Sequence, residues 1–204
     1  GSNVSNALSL STGNDKSQSY ISVATTNATG IMPNNDYDRY NFSFRNTTNF
    51  LNNKFILDTS ANYIIQNDKN MVSQGQYFTP LTSLYLFPRG EDFSDVAVYE
   101  RYDDLSGVNT QYWPYGDLGG VSSQNPYWIM NRMNRENDRR RYKLAASLQY
   151  NIIEGLNVQG RVSIDNTESK YTEKFHAGTV GNFAGPKGRY KEENRLDRQV
   201  YADV

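Results

Sequence analysis

Five aromatic side chains lie close together in the longest stretch of the sequence that lacks a regular pattern. Exposed tyrosine and tryptophan rings on a loop shaped by glycine and proline can stack on sugar faces or pack against a partner protein. Gly116, Gly119 and Gly120, with two prolines, give the stretch that composition. The residues predicted to contact a ligand or a partner protein are Tyr112, Trp113, Tyr115, Tyr127 and Trp128. Two other roles stay open: packing the loop onto itself, or forming part of an aromatic girdle.

The charged residues and the histidine offer little chemistry of their own. Several acidic residues could supply oxygen ligands to calcium, but the spacing and the glycine of an EF-hand are missing, so a solvated acidic loop is favoured. These residues are Glu91, Asp92, Asp95, Asp103 and Asp104. His176 is the single histidine, and a zinc site or a catalytic triad would need partners that the sequence does not offer. We therefore predict no catalytic residue, no metal, no cofactor and no enzyme activity.

The composition excludes several classes of protein. The chain has 204 residues, a formal net charge of -1 and no cysteine, which excludes disulfides and thiolate chemistry. A charge near zero without a basic stripe argues against nucleic-acid binding. Mean hydropathy is -0.76, and no apolar run approaches the roughly 20 residues of a transmembrane helix. Yet 16 Tyr and 9 Phe are too many for a disordered chain.

The elements that must position the aromatic loop are β-strands, because apolar and polar residues alternate along much of the chain. The pattern is clearest over residues 156–165, where Leu156, Val158 and Val162 share one face and polar residues occupy the other. Residues 142–150 alternate in the same way, and residues 151–155 form a short connection between the two segments. Together they predict a β-hairpin.

Further strands are predicted upstream and at the end of the chain, about seven in all. Their apolar residues include Leu8, Leu10, Ile21, Val23, Phe42, Phe44, Phe55, Leu57, Tyr63 and Val200. Turn-forming residues at 13–16 and 51–53 separate neighbouring strands. Helix signals are almost absent, and residues 128–141 are predicted to form a loop because they show no apolar stripe, with a short surface helix as the alternative.

Short and long connections alternate between the predicted strands. The short ones are residues 13–16, 51–53 and 151–155, and the long ones are residues 27–38, about 68–137 and about 174–194. In an up-and-down meander, alternate connections lie at the same end, so one end has tight turns and the other has long loops. Bacterial outer-membrane barrels show this asymmetry, with short periplasmic turns and long extracellular loops.

Three features favour a transmembrane barrel over a soluble sandwich, whose strands also alternate. The strands are on the order of ten residues or more, which suits a tilted membrane strand. Tyr142 and Tyr150 are predicted at the ends of one strand, and Phe55 and Tyr63 near the ends of another, as in an aromatic girdle.

The third feature is that the two faces of the predicted strands differ in polarity. The predicted wall face includes Leu144, Leu148, Val158 and Val162, and the predicted lumen face includes Lys143, Gln149, Arg161 and Asp165. A secreted or surface β-rich carbohydrate-binding module stays open as the alternative.

Four short strings resemble a known family of transporters. They are residues 8–16 (LSLSTGNDK), 36–42 (DYDRYNF), 125–128 (NPYW) and 150–162 (YNIIEGLNVQGRV). In order and spacing they resemble the SusC/RagA type of TonB-dependent outer-membrane transporter, over most of the chain outside residues 71–124. The resemblance implies an all-β fold, an antiparallel up-and-down meander that forms part of a transmembrane β-barrel with long extracellular loops.

The same resemblance implies a setting and partners. Barrels of the family have about 22 strands around a plug. Residues 1–204 would be a partial segment of the barrel wall, without the plug, the TonB box or the closing strand. The implied function is import of an oligosaccharide or peptide nutrient across the outer membrane of a Gram-negative bacterium. The implied partners are a SusD-like surface lipoprotein, TonB acting through the plug, a glycan or peptide substrate, and membrane lipid, without nucleic acid.

Overall fold

Seven long strands form one antiparallel sheet in the computed structural model, which describes residues 1–73, 75, 77–115 and 124–204. In chain order the elements are β1 (Ser2–Gly13), β2 (Ser17–Thr29), β3 (Asp36–Phe50), β4 (Phe55–Lys69), α1 (Pro80–Leu86), a 3₁₀-helix (Phe93–Ala97), β5 (Glu100–Asp103), β6 (Val108–Gln111), α2 (Pro126–Arg132), β7 (Met133–Ile153), β8 (Leu156–Phe175) and β9 (Arg189–Asp203). The strand order is β1-β2-β3-β4-β7-β8-β9, while β5 and β6 form a separate hairpin. The prediction of an antiparallel up-and-down meander is confirmed.

Tight turns join the strands at one end of the sheet. Between β1 and β2, the side-chain oxygen of Asn14 accepts hydrogen bonds from the backbone N–H groups of Lys16 and Ser17, each at 2.9 Å. Between β3 and β4, residues 51–53 have φ values of 50°, 56° and 65°, a region in which asparagine is enriched. Gly155, with φ of 81°, lies in the turn of the β7–β8 hairpin. These local conformations keep the three connections short.

The longer connections lie together at the opposite end of the sheet. They are residues 30–35, 70–132 and 176–188. Asparagine side chains tie two of them together: Asn70 donates from Nδ2 to the Asn34 carbonyl at 3.1 Å, and Asn34 donates to the Met130 carbonyl at 3.3 Å. The longest connection carries α1, the 3₁₀-helix, β5, β6 and α2, here called the loop region.

The predicted long loops are wrong at their edges. Loops were predicted at residues 27–38, 68–137 and 174–194, but β3 begins at Asp36, β7 at Met133 and β9 at Arg189. The prediction of a loop at residues 128–141 is also wrong, because α2 runs to Arg132 and β7 follows. Residues 134–141 are polar on both faces, so no alternation marks them, and their pairing with β4 and β8 makes them a strand.

In β4 and β7, aromatic residues lie at the two ends of the apolar part of each strand, and not at both ends of the strand. Tyr142 lies near the middle of β7 and Tyr63 near the middle of β4, where the two residues are cross-strand partners. The prediction that they mark strand ends is wrong, because both strands continue beyond them with mainly polar residues. At the turn end, Phe55 and Tyr150 are cross-strand partners with stacked rings 4.6 Å apart.

Both short helices begin with a capping residue followed by proline. The side chains of Thr79 and Asn125 each accept a hydrogen bond from a backbone N–H of the first turn. Pro80 and Pro126 follow them and have no N–H that needs a partner. These two signals are local, so they mark a helix start where no apolar stripe exists. Neither helix in the described ranges is long and apolar enough to span a membrane.

The buried core lies at the loop end of the molecule and not between layers of sheet. Its members are Trp128, Ile129, Met133, Phe175 and Ala184, with Phe78, Tyr99 and Phe183 packed against them. By contrast, no residue of β1, β2, β3 or β4 is buried. The loop end therefore has its own hydrophobic core, while the described chain provides no layer that covers the sheet.

Candidate functional site

Four of the five aromatic residues singled out in the sequence belong to one connected cluster in the loop region, here called the aromatic cluster. Its rings run in the order Trp113, Tyr115, Phe87, Phe93, Tyr127, Tyr99 and Trp128, with centroids of successive rings between 4.9 and 6.5 Å apart. Tyr112 stands beside the cluster and packs its ring against Arg101, whose guanidinium carbon lies 3.4 Å from the ring centre. Gly116, Gly119 and Gly120 lie outside the described residues.

The members of the cluster differ in their access to solvent. Trp128 is 0% exposed, and its indole Nε1 donates to the Thr179 hydroxyl at 3.1 Å. Trp128 therefore has the alternative role named above, packing the loop onto itself, and is not accessible to a ligand. Trp113, Tyr115 and Tyr127 are half-buried and keep part of their rings at the surface. The accessible part of the predicted contact set is therefore these three residues with Tyr112.

Three members of the aromatic cluster were not predicted from the sequence. Phe87, Phe93 and Tyr99 complete the chain of rings, although each lies far from residues 112–128 in sequence. Their aromatic type was visible, but no spacing rule relates them to Trp113 or Tyr127, because the contacts are made between different segments of the fold.

Asn125 connects the start of α2 with the 3₁₀-helix and the end of β6 through hydrogen bonds. Its amide nitrogen donates to the carbonyl of Val96 at 2.9 Å and to that of Tyr112 at 3.1 Å. Its backbone N–H donates to the Gln111 side chain at 2.8 Å, while its side-chain oxygen caps α2. This residue is fully buried with its polar groups satisfied, so it fixes the start of α2 against β6 and the 3₁₀-helix.

A paired arginine and glutamate join α2 to β5. Arg132 donates two hydrogen bonds to the Glu100 carboxylate, at 2.8 and 2.9 Å. These bonds hold the pKa of Glu100 below its usual range, and the pKa of Arg132 is raised in return. Two parallel N–H···O bonds fix both distance and angle, so the pair orients the β5–β6 hairpin on α2.

Two of the acidic residues singled out in the loop region, Asp92 and Asp103, have structural roles. Asp92 caps the 3₁₀-helix by accepting a hydrogen bond from the Ser94 N–H at 2.9 Å, which lowers the pKa of that carboxyl. Asp103 accepts backbone bonds from Leu105 and Ser106 in the β5–β6 turn. Among the described residues, no group of three or more His, Asp or Glu side chains is arranged to hold a metal ion. His176 is exposed.

One face of the seven-stranded sheet carries an apolar surface, here called the apolar belt. It is broad on β4, β7 and β8 and narrows to two rows on β1, β2 and β3, where Ser19, Asn46 and Thr48 lie on the same face. Directly opposite residues of an antiparallel pair share a face, so the register defines the belt row by row. One row crosses all seven strands: Leu10, Ile21, Phe44, Ala61, Leu144, Ile164 and Val200. Neighbouring rows add Leu8, Val23, Phe42, Tyr63, Tyr142, Leu148, Tyr150, Val158 and Val162. Most of these side chains are exposed, up to 78% for Leu8.

The opposite face of the sheet, here called the polar face, is crossed by ion pairs. Arg141 reaches Asp165 at 2.5 Å, and Arg161 reaches its cross-strand partner Asp203 at 2.5 Å. Exposed ion pairs contribute only about 0–1 kcal/mol each, so they do not explain why the sheet is stable. They show instead that this face is built to be in contact with water or with other polar groups.

The predicted division into two faces is present in the structure. The predicted wall residues Leu144, Leu148, Val158 and Val162 lie in the apolar belt, and the predicted lumen residues Lys143, Gln149, Arg161 and Asp165 lie on the polar face. No protein-family model matches this chain, and no curated protein sequence matches it. The fold itself defines a class, an antiparallel meander with one apolar and one polar face and a folded loop region at one end.

Proposed function

We propose that this chain is a section of the transmembrane wall of a SusC-like, TonB-dependent transporter that imports an oligosaccharide or a peptide across the outer membrane. The observation that carries the proposal is the apolar belt. One of its rows extends over all seven strands, most of its side chains are exposed, and no other part of the described chain packs on it.

An uncovered belt of this size is unfavourable in water. Burial of apolar surface is worth about 25 cal/mol per Å², and soluble monomers seldom expose a contiguous apolar patch larger than a few hundred Å². A soluble domain would cover such a face with a second layer. In a membrane the lipid chains cover this face, so its side chains are not exposed to water and the free-energy cost of that exposure is avoided.

The height of the belt fits a bilayer. From Tyr142 to Tyr150, β7 rises about 27 Å at 3.4 Å per residue. A strand tilt of about 40° reduces this to about 20 Å, close to the apolar band of about 25 Å in such barrels. Tyr142 with Tyr63 borders the belt on one side, and Tyr150 with Phe55 borders it on the other. Beyond Tyr142 the same face continues with Arg140, which belongs in water.

The two outer strands fit a wall that continues on both sides. Within the sheet, β1 and β9 each have a single neighbour. Unpaired backbone groups cost several kcal/mol each in lipid, which is why membrane sheets close into barrels. In the proposed setting further strands of the parent protein pair with both edges.

The loop region is the proposed extracellular part. Long connections at one end and tight turns at the other follow the barrel pattern of extracellular loops and periplasmic turns. The half-buried rings of Tyr112, Trp113, Tyr115 and Tyr127 then offer stacking surfaces to a sugar or contacts to a SusD-like lipoprotein. Energy would come from TonB acting on a plug.

Fractionation of a Gram-negative host that expresses the full parent protein tests this proposal. We expect the protein in the outer membrane, with a change in gel mobility on heating that marks a folded barrel. The residues 1–204 expressed alone should aggregate or require detergent. If they instead form a soluble monomer that unfolds cooperatively in plain buffer, the membrane proposal is wrong and a β-rich binding module replaces it.

A further inference from the structure

The basic residues of the polar face are paired with carboxylates almost everywhere. Distances from a basic nitrogen to a carboxylate oxygen lie between 2.5 and 3.8 Å for Arg45, Arg135, Arg141, Arg161, Arg189, Lys191 and Arg195. This regular neutralisation makes any exception on the same face informative, because a cation without a counter-charge attracts one from outside the chain.

Three basic residues of this face are exceptions. Arg39, Arg139 and Lys143 form no ion pair with any residue that the structure describes, and Arg39 donates only from Nε to the amide oxygen of Asn41, at 3.1 Å. Arg139 and Lys143 are exposed, while Arg39 is half-buried.

The nearby carboxylates are already engaged by other residues. Asp68 lies diagonally across from both Arg39 and Arg139 and accepts a hydrogen bond from the neutral Asn137 amide at 2.9 Å, so its single charge offsets only one of the two arginines. Asp165 is the cross-strand partner of Lys143, but both of its oxygens accept from Arg141. Asp165 also attracts Lys143 electrostatically. The four cations Arg39, Arg139, Arg141 and Lys143 thus face two carboxylates, Asp68 and Asp165, and an excess of positive charge remains on this part of the face.

The three cations are close enough to act on one ligand. Arg39 and Arg139 lie in one cross-strand row with Gln66 of β4 between them, so their Cα atoms are about 10 Å apart. Lys143 lies four residues further along β7, about 13 Å from Arg139. Its cross-strand partner on β4 is Asn62. Arg39 and Arg139 thus flank Gln66, and Lys143 lies beside Asn62.

We propose that Arg39, Arg139 and Lys143 bind the carboxylates of an acidic oligosaccharide, so that the cargo carries uronic acid units. This inference rests on the proposed function, since the polar face lines the passage only in a barrel. Arginine matches a carboxylate with two parallel donors. The amides of Gln66, Asn62 and Asn41 both donate and accept hydrogen bonds, as the hydroxyl groups of a glycan do, and the oligo-glutamate probe below tests a glycan against a peptide.

Binding measurements on the full parent transporter in detergent test the inference. The probes are a short oligogalacturonate, the same oligomer with its carboxyl groups reduced to neutral galactose units, and an oligo-glutamate peptide. We expect the oligogalacturonate to bind, with an affinity that falls as salt is raised, and the reduced oligomer and the peptide to bind at least tenfold more weakly. Arg139→Gln should weaken oligogalacturonate binding about tenfold, as expected for loss of one charge-assisted contact.

Arg140→Gln is the matched control. Arg140 is adjacent in sequence, also exposed and outside any ion pair of the described chain, but it lies on the face of the apolar belt. The control should leave affinity unchanged. If Arg139→Gln does not fold into a heat-modifiable barrel, Lys143→Gln and the salt dependence of the unaltered protein decide the question.

The outcomes separate the inference from the proposed function. Equal binding of the acidic and the reduced oligomer, or no effect of Arg139→Gln in a folded barrel, overturns the anionic site and leaves the transporter intact. Preferential binding of oligo-glutamate overturns the glycan assignment. Absence of the parent protein from the outer membrane overturns the proposed function, whatever the probes do.

Discussion

Two adjacent residues of β7 allow a direct test of the apolar belt. Leu148 lies in the belt between its cross-strand partners Leu57 and Gly160, whereas Ser147 lies on the polar face between Asp58 and Arg161. The two positions have nearly the same depth along the strand. Arginine at Leu148 would enter the apolar side of the wall, and arginine at Ser147 would enter the hydrated side.

The expected magnitude follows from the depth of Leu148. Ala146 marks the centre of the stretch from Tyr142 to Tyr150, so Leu148 lies about 7 Å from the centre along the strand. At a tilt of about 40° this places it about 5 Å from the bilayer midplane. Arginine on the lipid face costs about 2–4 kcal/mol at the midplane and about 0–1 kcal/mol near the interface, so we expect about 2–3 kcal/mol for Leu148→Arg.

Arginine at Ser147 should change the free energy of unfolding by no more than about 0.5 kcal/mol, as is usual for surface substitutions. Its attraction to Asp58 and its repulsion from Arg161 act in opposite directions in a hydrated environment. Urea unfolding of the parent barrel from lipid vesicles measures both variants. Leu148→Ala separates loss of apolar contact from insertion of charge and should cost less than Leu148→Arg. Equal losses for Leu148→Arg and Ser147→Arg would refute the assignment of the belt to lipid.

Three further predictions concern the loop end. Trp128→Ala should destabilise the loop region by about 3–5 kcal/mol, seen as faster proteolysis there, and Trp128→Phe should cost less because most of the packing is kept. The pKa of Glu100 is lowered in the folded protein, so the stability it contributes is complete above the usual carboxyl value of 4.5 and is lost as pH falls through the lowered value. Hydrogen exchange of β5 should become faster over that pH range. In Glu100→Gln, which weakens the bond to Arg132, the exchange rate should no longer show this pH dependence. An epitope inserted at Gly181 should bind antibody on intact cells, and one at Asn52 only after the outer membrane is opened; the reverse pattern would invert the topology.

The sheet was predictable where its two faces differ in polarity. Alternation identified all seven strands and assigned Leu144 and Lys143 to opposite faces, because one face of each strand is apolar over the belt. It failed where both faces are polar. Residues 134–141 of β7 and the first residues of β9 are strands because neighbouring strands pair with them, and that information is not local.

The candidate site was predictable by residue type but not by contact. Trp113, Tyr115 and Tyr127 do meet in one cluster, yet Phe87 and Phe93 bridge them from another segment of the chain. The burial of Trp128 also depends on tertiary contacts. The helix starts at Thr79–Pro80 and Asn125–Pro126 were readable in principle, because a capping residue before proline is a local signal.

The length of the central strands links the apolar belt to the loop region. Past Tyr142, β7 and β8 continue as a paired ladder with ion pairs on both faces, such as Lys174 with Glu136 at 2.7 Å on the belt side. At its end the guanidinium of Arg135 lies 4.6 Å from the ring centre of Phe78, which packs against the loop core. Sheet and core are thus joined by a continuous paired structure and not by a flexible hinge. In the proposed setting this ladder raises the loop core above the membrane surface, so the height of the aromatic cluster over the passage is set by strand length.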